Sequence, residues 1–305
     1  MMKAALIHKY GQKELAIEEV PLPTIHDNDV LVKIIAASIN PIDLKTKDGK
    51  VKMLLNYQMP LILGSDFAGI VVSVGKNVQN FRLGDAVYGR VPKNRVGTFA
   101  EYIAVDQAAV AMKPKNLTFE EAAAIPLVGL TSYQALHDIM NVQPGQKVLI
   151  QAGSGGIGTI AIQLAKLAGA YVATTTSSKN KEWVQALGAD EVIDYRTQNF
   201  EEVLSDYDYV FDTMGGTILE KAFSVVKPQG KVVTLSGIPN ERFAKEYGLP
   251  LWKQWAFKIA TRKIHRLEQA TDVSYHFLFM RPDGEQLALL TEFIEQGKLQ
   301  RSEER

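Results

Sequence analysis

Short apolar runs cut by turn residues fill the first third of the chain. Val30-Leu31-Val32-Lys33-Ile34-Ile35-Ala36-Ala37 and Gly69-Ile70-Val71-Val72-Ser73-Val74 predict strands. Turns are expected at Asp48-Gly49, Val74-Gly75-Lys76-Asn77 and Leu83-Gly84-Asp85. Strands so closely spaced predict a barrel-like β domain. From about Glu120 helices and strands alternate. A helical region runs from Ala122 to Met140 around Pro126, followed by strands at Lys147–Ile150, Ala170–Thr174, Glu191–Asp194, Tyr209–Asp212 and Lys231–Leu235. Helices are expected at Trp183–Leu187 and Leu219–Val226. Repeated β-α-β units of this length predict a parallel, doubly wound sheet.

The turn after the first of these strands reads Gln151-Ala152-Gly153-Ser154-Gly155-Gly156-Ile157-Gly158 and opens a helical pattern, Ile160, Ile162, Leu164, Leu167. A loose G-x-G-x-x-G (Gly153, Gly155, Gly158) between strand and helix is a dinucleotide-binding candidate. The first glycine permits the tight turn, the second lets backbone N–H groups approach a pyrophosphate, and the third lets the helix lie close to the strand. The alternative is a glycine-rich turn without a ligand. About twenty residues on, NAD-binding proteins place an acid for the ribose hydroxyls. Here the chain reads Thr174-Thr175-Thr176-Ser177-Ser178-Lys179-Asn180-Lys181, without Asp or Glu. Hydroxyls and an ammonium would accept a 2′-phosphate that an acid would repel, which points to NADPH, with Ser177 and Lys181 as its sensors. The alternative is a polar loop in which Ser178 caps the next helix. Gly153, Ser154, Gly155, Gly156, Ile157, Gly158, Thr175, Ser177 and Lys181 form this candidate cofactor set.

Beyond Ser236, residues 243–266 carry Trp252, Trp255, Phe257 and Ile259 among Lys253, Lys258, Arg262, Lys263 and Arg266. Trp252, Trp255 and Ile259 share a helical face. A basic amphipathic helix can serve a membrane surface or nucleic acid, but a lid or packing helix over a pocket is the expected role. A last helix should start at Asp283, with Gln286 placed as in a capping box and Leu287, Leu290 and Ile294 on one face.

Composition narrows the class. A chain of 305 residues favours two domains, and 46% hydrophobic with 22% charged residues describes an ordinary globular protein. The 34 basic residues balance the 34 acidic ones, so no global charge draws nucleic acid or an anionic membrane, and neither partner is expected. The absence of cysteine excludes disulfides, thiolate catalysis and cysteine-ligated zinc. The start, Met1-Met2-Lys3-Ala4-Ala5-Leu6, lacks the apolar core of a signal peptide, and Ala122–Leu136 is too short to span a bilayer, so a cytoplasmic protein is expected.

Asn40-Pro41-Ile42-Asp43, Pro60-Leu61-Ile62-Leu63-Gly64-Ser65-Asp66-Phe67-Ala68-Gly69, Gly84-Asp85-Ala86-Val87-Tyr88-Gly89 and Gly97-Thr98-Phe99-Ala100-Glu101-Tyr102 form a further pattern. With Ala123-Ala124-Ile125-Pro126-Leu127-Val128-Gly129-Leu130-Thr131-Ser132-Tyr133, the glycine loop and Leu187-Gly188-Ala189-Asp190, the chain resembles the medium-chain dehydrogenase/reductase superfamily over nearly its whole length. The branch it resembles is the zinc-independent quinone oxidoreductases (ζ-crystallin-like) with their alkenal and enone reductase relatives. The resemblance implies an α/β protein. A GroES-like β-barrel catalytic domain would span 1–122, with 268–305 partly returning to it. A Rossmann NADPH-binding domain with a doubly wound parallel sheet would span 123–267. Zinc-dependent members carry a cysteine where Asn40 stands and G-H-E where Gly64-Ser65-Asp66 stands. Without those ligands no metal is expected, and the chemistry becomes direct hydride transfer to an electron-poor carbon.

The resemblance also implies roles. Asn40 and Thr131 would lie near the nicotinamide as the catalytic pair, with Asp43 holding the Asn-Pro loop. Gly155, Gly156 and Ile157 would meet the pyrophosphate. Tyr195 would border the adenosine phosphate, Leu235-Ser236-Gly237 the carboxamide side of the nicotinamide, and Phe277-Leu278-Phe279 the other side, with Phe279 in the contact set. The plainer alternatives are a turn cap for Asn40, a buried strand end for Tyr195 and ordinary core for Phe277 and Phe279. The expected reaction is NADPH-dependent reduction of a quinone or of the activated C=C of an enone or enal. Asn40 would donate to the developing oxygen, and Tyr57 is a speculative proton source. The rivals are an NADPH-gated binding protein for RNA or a protein partner, and a reductase of simple aldehydes and ketones. A homodimer through the nucleotide-binding domains is implied. Family members continue past Gly297-Lys298-Leu299 with further elements, whereas Gln300-Arg301-Ser302-Glu303-Glu304-Arg305 is polar. A shortened β domain with exposed apolar surface is the expectation there.

Overall fold

The fold is taken from a computed structural model, which describes residues 1–300. The part of the expected C-terminal return at 301–305 lies outside the described residues. Two compact units divide the chain: Met1–Leu130 joined by the segment from Arg281, and Thr131–Met280.

The first unit is built on antiparallel sheets. Its elements are β1 (Met2–Ile7), β2 (Ala16–Val20), β3 (Asp29–Ser38), α1 (Pro41–Lys47), β4 (Leu61–Ile62), β5 (Asp66–Val74), β6 (Ala86–Arg90), β7 (Tyr102–Asp106), β8 (Val110–Met112) and α2 (Phe119–Ala123). Five strands pair in the order β7-β3-β5-β6-β8 and three in the order β2-β1-β4. Alternation along β3 turns Val30 and Val32 inward to meet Phe67, Val71, Val87, Ile103 and Val105 in a closed apolar core. Gly69 is required by packing, since a Cβ there would lie 2.2 Å from the Lys33 carbonyl on the neighbouring strand. α2 starts with a capping box in which Thr118 and Glu121 exchange hydrogen bonds.

Helix α3 (Pro126–Tyr133) crosses from the first unit to the second and runs on as a π-helical stretch over Gln134–Ile139. The second unit continues with β9 (Lys147–Ile150), α4 (Gly156–Leu167), β10 (Tyr171–Thr176), α5 (Lys181–Ala186), β11 (Glu191–Asp194), α6 (Phe200–Val203), β12 (Tyr207–Asp212), α7 (Gly216–Ala222) and β13 (Val226–Thr234). Then come α8 (Glu241–Glu246), α9 (Leu251–Ala260), α10 (Arg262–Thr271) and β14 (Ser274–Phe277). Six parallel strands pair in the order β11-β10-β9-β12-β13-β14. The order reverses between β9 and β12, which is where doubly wound sheets bind ligands.

Four sequence expectations change. Val226 belongs to β13 and pairs with Tyr207, so the helix expected to reach it stops at Ala222. The sixth strand, β14, was not expected, because Ser-Tyr-His-Phe alternates weakly and follows three helices. It keeps the chain in the second unit to Met280, so the return to the first unit begins at Arg281 and not at 268. The boundary on the other side falls at Leu130 and not at 122. Finally, the lid or packing helix expected over a pocket at residues 243–266 is three helices, of which α9 lines a cavity with Trp255 and Ile259 but does not bury its tryptophans. α9 turns Phe257 inward, and Trp252 and Trp255 are 61% and 67% exposed.

The last helix, α11 (Gly284–Glu295), follows its sequence signature. Asp283 caps it by accepting from the Gln286 N–H at 3.0 Å. Leu287, Leu290 and Ile294 are buried, and Tyr88 Oη donates to the Leu287 carbonyl at 2.8 Å. Leu290 packs so close to Gly129 that a Cβ there would lie 2.8 Å from Leu290 Cδ1. Replacing Leu290 by Ala should lower unfolding stability in urea by about 2–5 kcal/mol, the range for emptying a fully buried leucine site.

Candidate functional site

In the first unit the candidate centre lies around Asn40. β3 ends at Ser38, and Pro41 opens α1, where its missing N–H costs nothing. Asp43 accepts from the backbone N–H of Asn40 at 2.8 Å and from Ser65 Oγ at 3.0 Å, which fixes the turn. Asn40 and Asp43 form a capping box at the start of α1, the turn-cap role among the alternatives for Asn40. Its Nδ2 donates to Asp66 Oδ2 at 3.0 Å and to Ser38 Oγ at 3.2 Å. Asp66 Oδ2 also accepts from Ser38 Oγ and from the Leu127 N–H, both at 3.2 Å, while Oδ1 is buried without a partner. Arg90 sits opposite Asp66 in the β5–β6 register, also buried.

The charge of Arg90 acts on both buried carboxyls. Burial pushes the Asp66 carboxyl up to about 7, against the opposing pull of the Arg90 charge and the Asn40 hydrogen bond. Burial raises Asp43 as well, offset in part by its bonds from Asn40 and Ser65. Both Nδ2 hydrogens of Asn40 are spent on Asp66 and Ser38. The expected role of Asn40 as donor to a substrate oxygen would require it to give up one of these two bonds. Tyr57, the speculative proton source, has its backbone N–H held by Tyr10 Oη at 2.8 Å and packs beside Ile7, Leu61 and Leu63.

The second unit assembles the glycine loop at the end of β9. The positive φ of the turn falls on Ala152 (53°) and not on a glycine. Gly153 is demanded by proximity, since a Cβ there would lie 2.0 Å from Thr174 Oγ1. A Cβ on Gly158 would lie 2.4 Å from the Ala152 carbonyl. At Gly155 the nearest atom would be 3.4 Å away. Gly155 is the N-cap of α4 and carries no capping side chain, so the positive end of a twelve-residue helix opens beside space. The helix stops where Gly169 takes φ 79°.

Threonines hold this loop. Thr175 Oγ1 accepts from the Ala152 N–H and its carbonyl from the Gly153 N–H, both at 3.0 Å, so its hydroxyl serves the loop. Thr176 Oγ1 donates to Ser154 Oγ at 2.9 Å. Ser177 is buried just beyond β10 and precedes the short turn Ser178–Asn180, while Lys181 opens α5 and is exposed. The expected cap at Ser178 is not formed, because Asn180 is the residue preceding α5. Tyr195 follows β11 in parallel with Ser177, its N–H bonded to the Thr176 carbonyl at 3.3 Å. It is 61% exposed, which removes the buried strand-end alternative. Ser132 Oγ donates to the Ile157 carbonyl at 3.1 Å, so buried Thr131 lies one residue from a bond to the first turn of α4.

Across the switch point, buried Asp212 accepts from the N–H groups of Met214 and Gly215 at 3.0 and 2.9 Å and from Thr234 Oγ1. Thr234 Oγ1 accepts in turn from the Gly237 N–H at 2.9 Å, and Ser236 Oγ donates to the Thr213 carbonyl at 2.8 Å. This chain fixes Leu235-Ser236-Gly237 at the same sheet edge as the glycine loop. Phe279 packs against Tyr247 (ring centroids 5.6 Å apart, 84° between planes) and Phe243, the packing role among its alternatives.

Two functional candidates were missed by sequence reasoning. The Gln151 amide is fully buried at the end of β9, and neither Nε2 nor Oε1 has a partner. Arg196 lies beside the Tyr195 ring at 5.8 Å, two residues after Asp194. Asp194 is an acid beside the expected phosphate loop. It accepts from the N–H groups of Arg196 and Ser178 (both 3.0 Å), which hold its carboxyl below the usual range. The open first turn of α4 and the hydroxyls and cations around Ser177 fit the phosphates of a nicotinamide dinucleotide.

Comparison with known proteins follows the same division. The alcohol dehydrogenase GroES-like domain family matches residues 26–115 and the zinc-binding dehydrogenase family residues 156–268. The chloroplastic NADPH-dependent alkenal/one oxidoreductase of Arabidopsis thaliana is 39% identical over 255 residues, 79% of this chain. The chain spans 65% of that curated relative's length. A chloroplast envelope quinone oxidoreductase homolog, also from Arabidopsis thaliana, is 33% identical across 98% of this chain and 89% of its own. The solved quinone oxidoreductase from Coxiella burnetii superposes with a TM-score of 0.81 at 32% identity, covering 98% of this chain and 89% of that one.

The chain belongs to the medium-chain dehydrogenase/reductase superfamily, in its quinone oxidoreductase branch. As a superfamily member it departs from the zinc-dependent pattern at Asn40, Ser65 and Asp66. These side chains, with Asp43, bond to one another and to Ser38. Among the described residues no three His, Cys, Asp or Glu side chains gather as a metal site.

Two outcomes follow from this geometry. Substituting Gly158 by Ala should cost about 1–3 kcal/mol of stability through overpacking and weaken dinucleotide binding, read by urea unfolding and by NADPH fluorescence titration. Asp66 titrates at 3.8 when unfolded and near 7 when folded. Its contribution to stability is complete below the lower value and lost as pH rises through the upper one. Asp66→Asn keeps the acceptor and removes the ionisation, so its unfolding midpoint should change less than the wild type's between pH 5 and pH 8.

Proposed function

We propose that this protein is an NADPH-dependent reductase that transfers hydride to a quinone or to the activated C=C of an enone or enal. The observation that carries the proposal is the uncapped N-terminus of α4 at Gly155, set beside a second strand whose end bears Ser177 and Lys181 in place of an acid. The names of the relatives, an alkenal/one oxidoreductase and quinone oxidoreductases, support the acceptor class.

In this reading the N–H groups of Gly156 and Ile157 hold the pyrophosphate. Ser154, Ser177 and Lys181 hold the 2′-phosphate, with Arg196 as an added cation and Tyr195 against the adenosine. Asp194 is spent on backbone N–H groups and positions the loop. Leu235, Ser236 and Gly237 border the nicotinamide, as do Thr131 and Phe279, and the bound cofactor supplies the hydride. Asn40 stands beside the nicotinamide, held by Asp66 and Ser38, and the proton for the reduced product comes from water. Ile39 and Leu44, 73% and 54% exposed on either side of Asn40, give an apolar, planar acceptor a surface to rest on. Asn40 and Ser65 lack the thiolate and imidazole that would hold a polarising zinc, so simple aldehydes and ketones should be poor substrates.

The proposal includes a homodimer formed along β14, one of the two edge strands of the sheet among the described residues, and it places the protein in the cytoplasm. No helix among the described residues is long and apolar enough to cross a membrane.

Stopped-flow oxidation of NADPH and NADH with a panel of quinones and alkenals tests the reading. NADPH should be preferred by at least about tenfold in kcat/KM, and Lys181→Glu should cut the NADPH value by about tenfold while leaving NADH nearly unchanged, as expected for one lost charge-assisted bond. Failure of every acceptor to oxidise NADPH would sink the enzyme reading.

A further inference from the structure

The outward face of α9 has no role in the chemistry above. Leu251 is 82% exposed beside Trp252 and Trp255, and Ile259 continues the same side of the helix. The inward side is separately satisfied by Phe257, Thr261 and Ile264, so the tryptophans are not displaced core residues. From Tyr247 to Leu267 the chain carries five Lys or Arg residues and no Asp or Glu. Two of the cations meet acids from outside this stretch, Lys258 with Glu241 (3.1 Å) and Lys263 with Glu220 (2.6 Å). Lys253 Nζ lies 5.5 Å from the Trp252 ring, and Arg262 and Arg266 are exposed without an acidic partner among the described residues.

We infer that this face is a docking surface for an anionic lipid bilayer, with Leu251, Trp252 and Trp255 entering the interface and Lys253, Arg262 and Arg266 meeting lipid phosphates. Tryptophan and leucine on one side, with cations along the flank, is the distribution that an acyl-headgroup boundary rewards. The apolar character of the exposed side argues against nucleic acid, which is held chiefly through phosphate contacts from polar and charged groups. A second copy is disfavoured by charge. A two-fold contact would set this basic surface against itself. The zero formal net charge of the chain makes the attraction local to this face. The sequence expectation of no membrane partner rested on that global balance, which averages the patch away.

The test is sedimentation of the full chain with vesicles of phosphatidylcholine alone and of phosphatidylcholine mixed with phosphatidylglycerol, read also by tryptophan emission. Binding should be at least about tenfold stronger to the anionic vesicles, shift the emission to the blue and weaken with added salt. Trp252→Ser with Trp255→Ser should abolish the emission shift and lower binding about tenfold or more. Each charge reversal, Arg262→Glu or Arg266→Glu, should weaken it about fivefold or more. These positions are exposed, and unchanged NADPH binding by the variants shows that they fold. Three results would overturn the inference: no vesicle binding, equal binding to both vesicle types, or self-association or RNA binding that needs the two tryptophans in the absence of vesicle binding. Vesicle binding does not depend on turnover, so failure here leaves the reductase proposal standing.

Discussion

All six strands of the parallel sheet end at one edge, and there the backbone groups of the connecting loops run out of strand partners. A buried N–H or C=O left in that state costs as much as a lost hydrogen bond. Thr175 answers for the turn after β9, Thr176 for Ser154, and Asp212 with Thr234 for the turns after β12 and β13. Because these bonds are made by short, stiff side chains rooted in the sheet, the loops that face a dinucleotide are set before any ligand arrives. The same economy leaves the first turn of α4 open, since no side chain at Gly155 closes it.

The first unit solves a different problem. A polar centre built on β3, α1 and β5 must bury Asn40, Asp43, Asp66 and Arg90 together. Burial outweighs the pull of the single guanidinium, so the Asp66 carboxyl is pushed up to about 7. The orientation of Asn40 is set in the same centre, because its amide hydrogens are claimed by Asp66 and Ser38. Positions occupied by metal ligands in zinc-dependent relatives have become a self-contained hydrogen-bond network.

Much of this was legible in the chain itself. The β-branched runs announce β3, β5, β9 and β10, and Asp283 with Leu287 and Leu290 announces α11, because local propensity and burial agree there. The glycine loop was readable for its place between strand and helix, but the reason for Gly153 was not, since Thr174 lies 21 positions away along the chain. β14 was illegible because four residues of mixed polarity gain their strand only by pairing with β13. The tryptophan face of α9 was visible as a face, but helical spacing cannot say which side meets the core. That choice was made by Phe257 and Ile264. Asn40 could be picked out, yet its donor capacity depended on Asp66, a partner 26 residues on.

The burial of Asp66 has a thermodynamic consequence for the whole chain. Between the unfolded and folded values for Asp66, about 3.8 and about 7, the chain binds a proton as it folds. Folding in that range is a proton-uptake reaction, and the heat released or absorbed carries the ionisation enthalpy of whatever buffer supplies the proton.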